Sequence, residues 1–190
     1  MRTRFQQAIS PSEGFTLLEV LVTIGIIIVL SGITVAVMPV ALISARSDSS
    51  AATVVAVMRV AREEAISQRR NMQVVFTAPN KITVSRIEVP GPGTTLVREA
   101  FLGTNYSFML FVGVPDTPDA FGNATATAFP GATSILFTSS GELVDQGGDP
   151  VNGTIFIGRT GETLSARAVS IFGPTALIRQ WRWAGSAWAQ

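Results

Sequence analysis

The side chains that most often do chemistry are missing. The chain of 190 residues has no histidine and no cysteine. Ser-His-Asp and Cys-His catalysis are therefore impossible within it. The commonest general base and the commonest metal ligand are gone too. Disulfides and thiolate-bound metals are excluded. What remains is a scatter of carboxylates: Asp116, Asp119, Glu142, Asp145 and Asp149. An acid–base pair needs two of them held at a defined separation, yet these stand in Gly-rich loops with no His or Cys nearby. An anchored enzyme is the least supported reading, and no enzymatic activity is expected. Asp116, Asp119 and Asn123 could begin a calcium loop, but such a loop needs several convergent oxygens at fixed spacing. An ordinary surface loop is the expectation for residues 113–132, with no metal and no cofactor.

The acid in the most unusual place is Glu19. It follows Gly14-Phe15-Thr16-Leu17-Leu18, and no Asp, Glu, Lys or Arg occurs from Val20 to Ala45. A helix crosses the hydrocarbon of a bilayer with roughly 20 apolar residues. A carboxylate at membrane depth is costly and tends to have a specific partner and a function. On position alone two readings stand: Glu19 marks the interfacial end of a span, or its burial is functional.

A second candidate cluster lies near the other end. Arg179-Gln180-Trp181-Arg182-Trp183 mixes basic and aromatic side chains, as single-strand nucleic-acid binders do. Strand alternation puts Arg179, Trp181 and Trp183 on one face and Gln180 and Arg182 on the other, which splits the arginines. Arg179 and Arg182 are the candidate nucleic-acid contacts, but a terminal strand with packed tryptophans is the better reading. The charge balance agrees. The formal charge is +1, and without Arg2, Arg4 and Glu13 the chain carries twelve residues of each sign, so nothing marks a general polyanion binder.

The elements that would position these groups follow from the pattern. Residues 1–14 form a short polar leader whose Arg2 and Arg4 favour a cytoplasmic N-terminus. Cleavage after Ser44-Ala45, as in a secretory signal, is conceivable but disfavoured by the polar leader and the length of the apolar run. Phe15 to about Arg70 reads as one helix. Residues 15–45 are apolar all round, with Gly25 and Gly32 permitting close helix approach and Pro39 expected to kink or loosen the helix. Residues 46–70 become amphipathic, with Ala51, Val54, Val55, Met58, Ala61 and Ala65 at helical spacing and an Arg59–Glu63 pair one turn apart. That stripe is expected to pack on a globular domain.

From residue 71 the period becomes that of strands. Met72–Ala78 and Lys81–Val89 flank Pro79-Asn80 as a hairpin. Leu96–Phe101 and Tyr106–Val112 follow, the latter expected to be buried on both faces through Phe108, Met109, Leu110 and Phe111. Thr133–Thr138, Thr154–Arg159, Arg167–Phe172 and Ala176–Trp183 complete the set, separated by Gly-rich turns. The fold class predicted is α+β: a long N-terminal helix, transmembrane in its first half and amphipathic in its second, packed on an antiparallel two-sheet β-domain spanning residues 71–190. Asn105, Asn123 and Asn152 fit the glycosylation pattern, which matters only in a eukaryotic secretory setting that nothing else supports.

Gly14-Phe15-Thr16-Leu17-Leu18-Glu19-Val20-Leu21-Val22, placed before such a helix, resembles the class III signal of type IV pilin-like proteins: pilins, minor pilins and the pseudopilins of type II secretion. Ile135–Gly141, Gly153–Ile157 and Ala168–Gly173 are similar to the GspH/FimT type of pseudopilin and minor pilin. The resemblance covers most of the chain but leaves the loop at 113–132 unexplained. It implies that a prepilin peptidase cuts between Gly14 and Phe15 and methylates the new N-terminus at Phe15. It implies that Glu19 guides assembly, and physics supplies a reason: a buried carboxylate needs a partner, and the amine of a neighbouring subunit's Phe15 would be one. Such pairing sets a stagger in a helical filament, whose interface does not close. Some minor pilins of this type used in DNA uptake carry Gly-Arg-x-Arg after the penultimate strand; here that place reads Gly173-Pro174-Thr175-Ala176.

The function expected is therefore structural: a minor pseudopilin in the periplasmic pseudopilus of a type II secretion system, with a minor type IV pilin that primes or caps a pilus as the alternative. The partners implied are other pseudopilins or pilins, a prepilin peptidase, an inner-membrane assembly platform, and membrane lipid before assembly. Nucleic acid is not an expected partner. The localisation implied is the bacterial inner membrane, single-pass, N-terminus cytoplasmic and C-terminal domain periplasmic.

Overall fold

The computed structural model describes residues 14–130, 132 and 134–190. The expected leader, with Arg2 and Arg4, lies outside them except for Gly14. One helix, α1 (Leu17–Gln68), precedes eleven described strands. The chain divides into two compact units, one ending at Ala41 and one spanning Leu42–Gln190.

In the first unit α1 starts because Thr16 caps it. The Glu19 amide donates to Thr16 Oγ1 at 3.2 Å, and the Val20 amide closes the first turn on the Thr16 carbonyl at 3.1 Å. Its apolar side chains are exposed all round, and Leu17–Thr34 has a mean hydropathy of 2.4 with no residue buried. The two threonines there satisfy themselves: Thr23 Oγ1 donates to the Val20 carbonyl at 2.8 Å and Thr34 Oγ1 to that of Leu30 at 2.9 Å. A hydroxyl bonded to its own backbone needs no water. The helix runs through position 39 without interruption, so Pro39 does not end it.

In the second unit the helix becomes one-sided. Ala51, Val54, Met58, Ala61 and Ala65 are buried, as the stripe predicted; Val55 is only half-buried, and Val57, outside the predicted stripe, is buried instead. No Arg59–Glu63 ion pair forms among the described residues; the contact one turn apart that does form is Gln68 Nε2 donating to Glu64 Oε2. The helix ends with Arg69 in the left-handed region (φ 52°), the Arg70 amide donating to Ala65 O and the Arg69 amide to Ile66 O. That is a Schellman closure made without glycine.

The strands are β1 (Met72–Thr77), β2 (Lys81–Ile87), β3 (Thr94–Phe101), β4 (Ser107–Phe108), β5 (Thr127–Ala128), β6 (Ile135–Phe137), β7 (Leu143–Val144), β8 (Gly153–Arg159), β9 (Glu162–Phe172), β10 (Leu177–Trp183) and β11 (Trp188–Ala189). They form two antiparallel sheets, in the orders β3-β2-β1-β6-β7 and β11-β10-β9-β8-β4, with β5 also on β8. Residues of α1, of β1 and β2, and of β8 and β9 share one core, among them Met58, Met72, Ile82, Ile155 and Ile171. The predicted α+β class with a helix on two antiparallel sheets is the fold observed.

Two expectations are corrected. Tyr106–Val112 is not a strand buried on both faces. The last bond to β8 runs from the Met109 amide to the Phe156 carbonyl at 3.2 Å; Leu110 is exposed and Val112 fully so, because the run then turns away from β8. Phe108, Met109 and Phe111 are half-covered: Phe108 meets Phe76, and Phe111 lies over Gly158, where a Cβ would come within 2.2 Å of its ring. Nor is 113–132 an ordinary surface loop. It straps the outer face of the second sheet, a face rich in Phe156, Ala168 and Trp181 that water would otherwise meet. Trp188 Nε1 donates to the Pro115 carbonyl at 2.9 Å and Phe121 stacks on Phe172 at 6.4 Å, while the far end of the strap tucks Phe129 over Gly153 into the main core. The strap explains why β8 is buried almost throughout.

Candidate functional site

The sequence-predicted segment Gly14–Glu19 is placed at the free start of α1. Gly14, Phe15 and Thr16 precede the helix, and Phe15 is 82% exposed. Nothing lies within 4 Å of the place a Gly14 side chain would occupy. The Gly14–Phe15 peptide is thus outside the helical hydrogen-bond ladder and uncovered, as a bond must be to enter a peptidase cleft. Thr16 fixes where that accessible stretch ends. Glu19 sits three residues beyond the cap, in the first turn, where a carboxylate is favoured by the helix dipole. Its side chain is exposed and has no partner among the described residues. The Thr16-x-x-Glu19 spacing is that of a capping box; here the threonine half of the box is made. Sequence reasoning passed over Thr16, although the spacing announces it.

The geometry offers a bare, wholly apolar helix that begins with one unpaired carboxylate. Such a surface must be covered, by lipid or by other helices. Inside either, the lone carboxylate would demand a cation.

The other candidates are not brought together. Arg179 pairs with Asp119, and the same carboxylate accepts from the Ser170 hydroxyl and from Trp181 Nε1 at 3.2 Å; Trp181 Nε1 also reaches Ser170 Oγ at 2.9 Å. Asp119 is 9% exposed, so this is the clasp that holds the strap to β9 and β10. Arg182 points to the opposite face, exposed and with no partner among the described residues. One arginine is neutralised and the other stands alone. A cleft of about 420 Å³ beside the clasp is lined mainly by Phe121, Phe172 and Leu177.

The carboxylates of Asp116, Asp145 and Glu142 are spent on turns, and Asp149 is exposed. Asp116 accepts from the amides of Thr117 and Gly122, each at 2.7 Å. Asp145 accepts from Gly147 at 2.8 Å and Asp149 at 3.0 Å. Glu142 accepts from the Ser140 hydroxyl at 3.2 Å. No group of three or more potential metal ligands occurs among the described residues. Sequence reasoning also missed Arg167, which is 1% exposed. Its Nε donates to Asp48 at 2.6 Å, Nη1 to the carbonyls of Leu164 (3.0 Å) and Ala166 (2.9 Å), and Nη2 to Ser44 Oγ at 3.1 Å. It fastens β9 to α1 at its Ser44–Asp48 turn.

No family model matches the sequence, and no curated protein matches it. Among solved structures the chain is similar to the type IV minor pilin FimU of Pseudomonas aeruginosa: 20% identity over 75% of this chain and 92% of that one, TM-score 0.48. It is also similar to the minor pseudopilin EpsH of the Vibrio cholerae type 2 secretion system, in two crystal structures. One shows 14% identity over 72% of this chain and 97% of that one, TM-score 0.47; the other shows 16% over 77% and 97%, TM-score 0.46. These are proteins of the minor-pilin and minor-pseudopilin kind that the sequence resembles.

Proposed function

We propose that this chain is a minor pseudopilin, a non-enzymatic subunit of the periplasmic pseudopilus of a type II secretion system. One observation carries the reading: an apolar helix exposed on every side, opening on an accessible Gly14–Phe15 bond and a single unpartnered carboxylate at Glu19. Before assembly the helix spans the inner membrane, with the N-terminus cytoplasmic and residues 71–190 periplasmic. A prepilin peptidase removes residues 1–14 and methylates Phe15. During assembly, on an inner-membrane platform, the helix leaves lipid for a bundle of like helices. Apolar contact barely distinguishes those two surroundings, because lipid tails are as apolar as leucine. The Glu19 carboxylate does distinguish them, because the amine on Phe15 of a neighbouring subunit offers it an ion pair that lipid does not.

Coexpression with a prepilin peptidase should shorten the protein by residues 1–14 and add one methyl group at Phe15, both read by intact mass. An unchanged mass refutes the processing. Glu19→Leu should still insert into membranes yet fail to enter filaments; normal incorporation of that variant refutes the pairing. Deleting the gene separates the two settings. Loss of secretion with pili intact supports the pseudopilus, and the reverse assigns the chain to a type IV pilus.

A further inference from the structure

Arg46 is the first charged residue after Glu19, so a span formed by the apolar run cannot continue past it. Arg46 and Ser49 stand three apart on α1 and share a face. Across from them runs the turn Gly103–Tyr106, and between lies a cleft of about 440 Å³.

The walls of this cleft are fixed. The Tyr106 hydroxyl donates to the Ile43 carbonyl at 3.0 Å and is 3.1 Å from Ser47 Oγ. The Gly103 amide donates to Ser50 Oγ at 3.3 Å, and the Tyr106 amide closes the turn on Gly103 O at 3.0 Å, with Asn105 in the left-handed region at φ 67°. Ser47 and Ser50, both buried, therefore hold the turn against the helix. The donors lining the space are free. The Arg46 guanidinium, the Ser49 hydroxyl, and the side chains and amides of Thr104 and Asn105 have no partner among the described residues. No carboxylate lines the cleft, and Asp48, the nearest acid in sequence, is committed to Arg167. A fixed cleft with a free guanidinium, neutral donors and no acceptor of negative charge is suited to a phosphate.

We propose that this cleft binds the phosphodiester headgroup of an anionic phospholipid, with Arg46 supplying the charge and Ser49 and the Thr104–Asn105 turn the neutral donors. The inference rests on the reading of the apolar run as a membrane span. A span ending at Arg46 holds the cleft among headgroups, where their local concentration exceeds that of any free anion.

The test uses the full chain. Tyr106 is its sole tyrosine, so isotope-labelled tyrosine gives one ring resonance that reports on the cleft. In maltoside micelles, which carry no phosphate, short-chain phosphatidylglycerol should shift that resonance saturably. Arg46→Gln should weaken the response about tenfold, the loss of one charge-assisted contact. Ser49→Ala should weaken it several-fold, and Arg98→Gln, on β3, should leave it unchanged. No shift, or an equal shift in Arg46→Gln, overturns the proposal. An equal response to inorganic phosphate overturns the lipid as the ligand. Flotation with phosphatidylethanolamine–phosphatidylglycerol vesicles separates this from the underlying reading. Wild type and Arg46→Gln should both float. If neither does, the span is refuted and the lipid assignment falls with it; if both float without a tyrosine response, the cleft assignment alone falls.

Discussion

Replacing Arg167 with methionine keeps most of the side-chain volume and removes the charge. Arg167 is 1% exposed while its partner Asp48 is 46% exposed, so the two ends of this ion pair are not equivalent. On losing the guanidinium, Asp48 turns to water at little cost. The buried Ala166 carbonyl cannot do so, and the part-covered Leu164 carbonyl and Ser44 hydroxyl also lose a charged donor. Hydrogen bonds to charged groups contribute about 1.5–3 kcal/mol each. The desolvation of a guanidinium, several kcal/mol, is no longer incurred and offsets much of that loss. The net expectation for Arg167→Met is a destabilisation of about 3 kcal/mol, within the range for breaking a buried charged network. Asp48→Asn leaves every carbonyl contact in place and should cost only about 1 kcal/mol, because its carboxylate is half in water. Urea unfolding of the full chain in maltoside micelles measures both. Trp181 and Trp183 on β10 and Trp188 on β11, one and two strands removed from Arg167, report the transition by fluorescence. The reasoning fails if Arg167→Met falls within about 1 kcal/mol of the wild type. It also fails if Asp48→Asn costs as much as Arg167→Met, since the ion pair rather than the carbonyl contacts would then hold β9 to α1.

Three further outcomes follow from single contacts. Gly158→Ala puts a Cβ within 2.2 Å of the Phe111 ring and should cost about 1–3 kcal/mol by displacing it; an unchanged urea midpoint rejects that packing of the strap. Thr16→Ala should cost the start of α1 about 1 kcal/mol, seen as faster amide exchange at Glu19 in nanodiscs, and equal exchange rates would show that the cap is not made there. Glu88 is held below its ordinary value of 4.5, first by the Thr95 hydroxyl and then by the bidentate Arg86 guanidinium at 2.7 and 2.9 Å. A depressed folded-state pKa adds stability above the unfolded value that disappears as pH falls through the folded one. Glu88→Gln should therefore flatten the stability profile below pH 4.5 and leave its slope at neutral pH alone; a parallel downward shift at all pH values contradicts this.

Which parts of the molecule were legible in the sequence follows from the range of the forces involved. The helix stripe at Ala51, Val54, Met58, Ala61 and Ala65 and the β1–β2 hairpin were readable because periodicity and a Pro-Asn turn are local. The run Phe108–Phe111 was misread because four consecutive apolar residues carry no period. Only the glycine at 158, more than forty residues later, makes room for the Phe111 ring and so decides where this segment lies. Arg167 was invisible for a related reason. In a strand whose neighbours Ala166 and Ala168 are small, an arginine looks like the polar start of an edge, and its partner Asp48 lies 119 residues away. Asp119 and Arg179, sixty apart, are the same case. The candidate calcium ligand and the candidate nucleic-acid contact turned out to be each other's partner.

That pairing bears on function as well as fold. A face meant for a polyanion would keep Arg179 free and place Arg182 beside it, whereas here one is spent on Asp119 and the other faces away. Across unit two the buried charges are paired or hydrogen-bonded: Arg167 to Asp48 and main-chain carbonyls, Asp119 to three donors. Two of the exposed, unpaired charges are distinguished by where they stand. Glu19 opens a helix with no cover of its own, and Arg46 stands beside a cleft without an acid. Both have the character of groups whose partners lie outside this chain. They bracket the uncharged run at its two ends, and the sign of each specifies the complement it needs: a cation for Glu19 and a phosphate for Arg46.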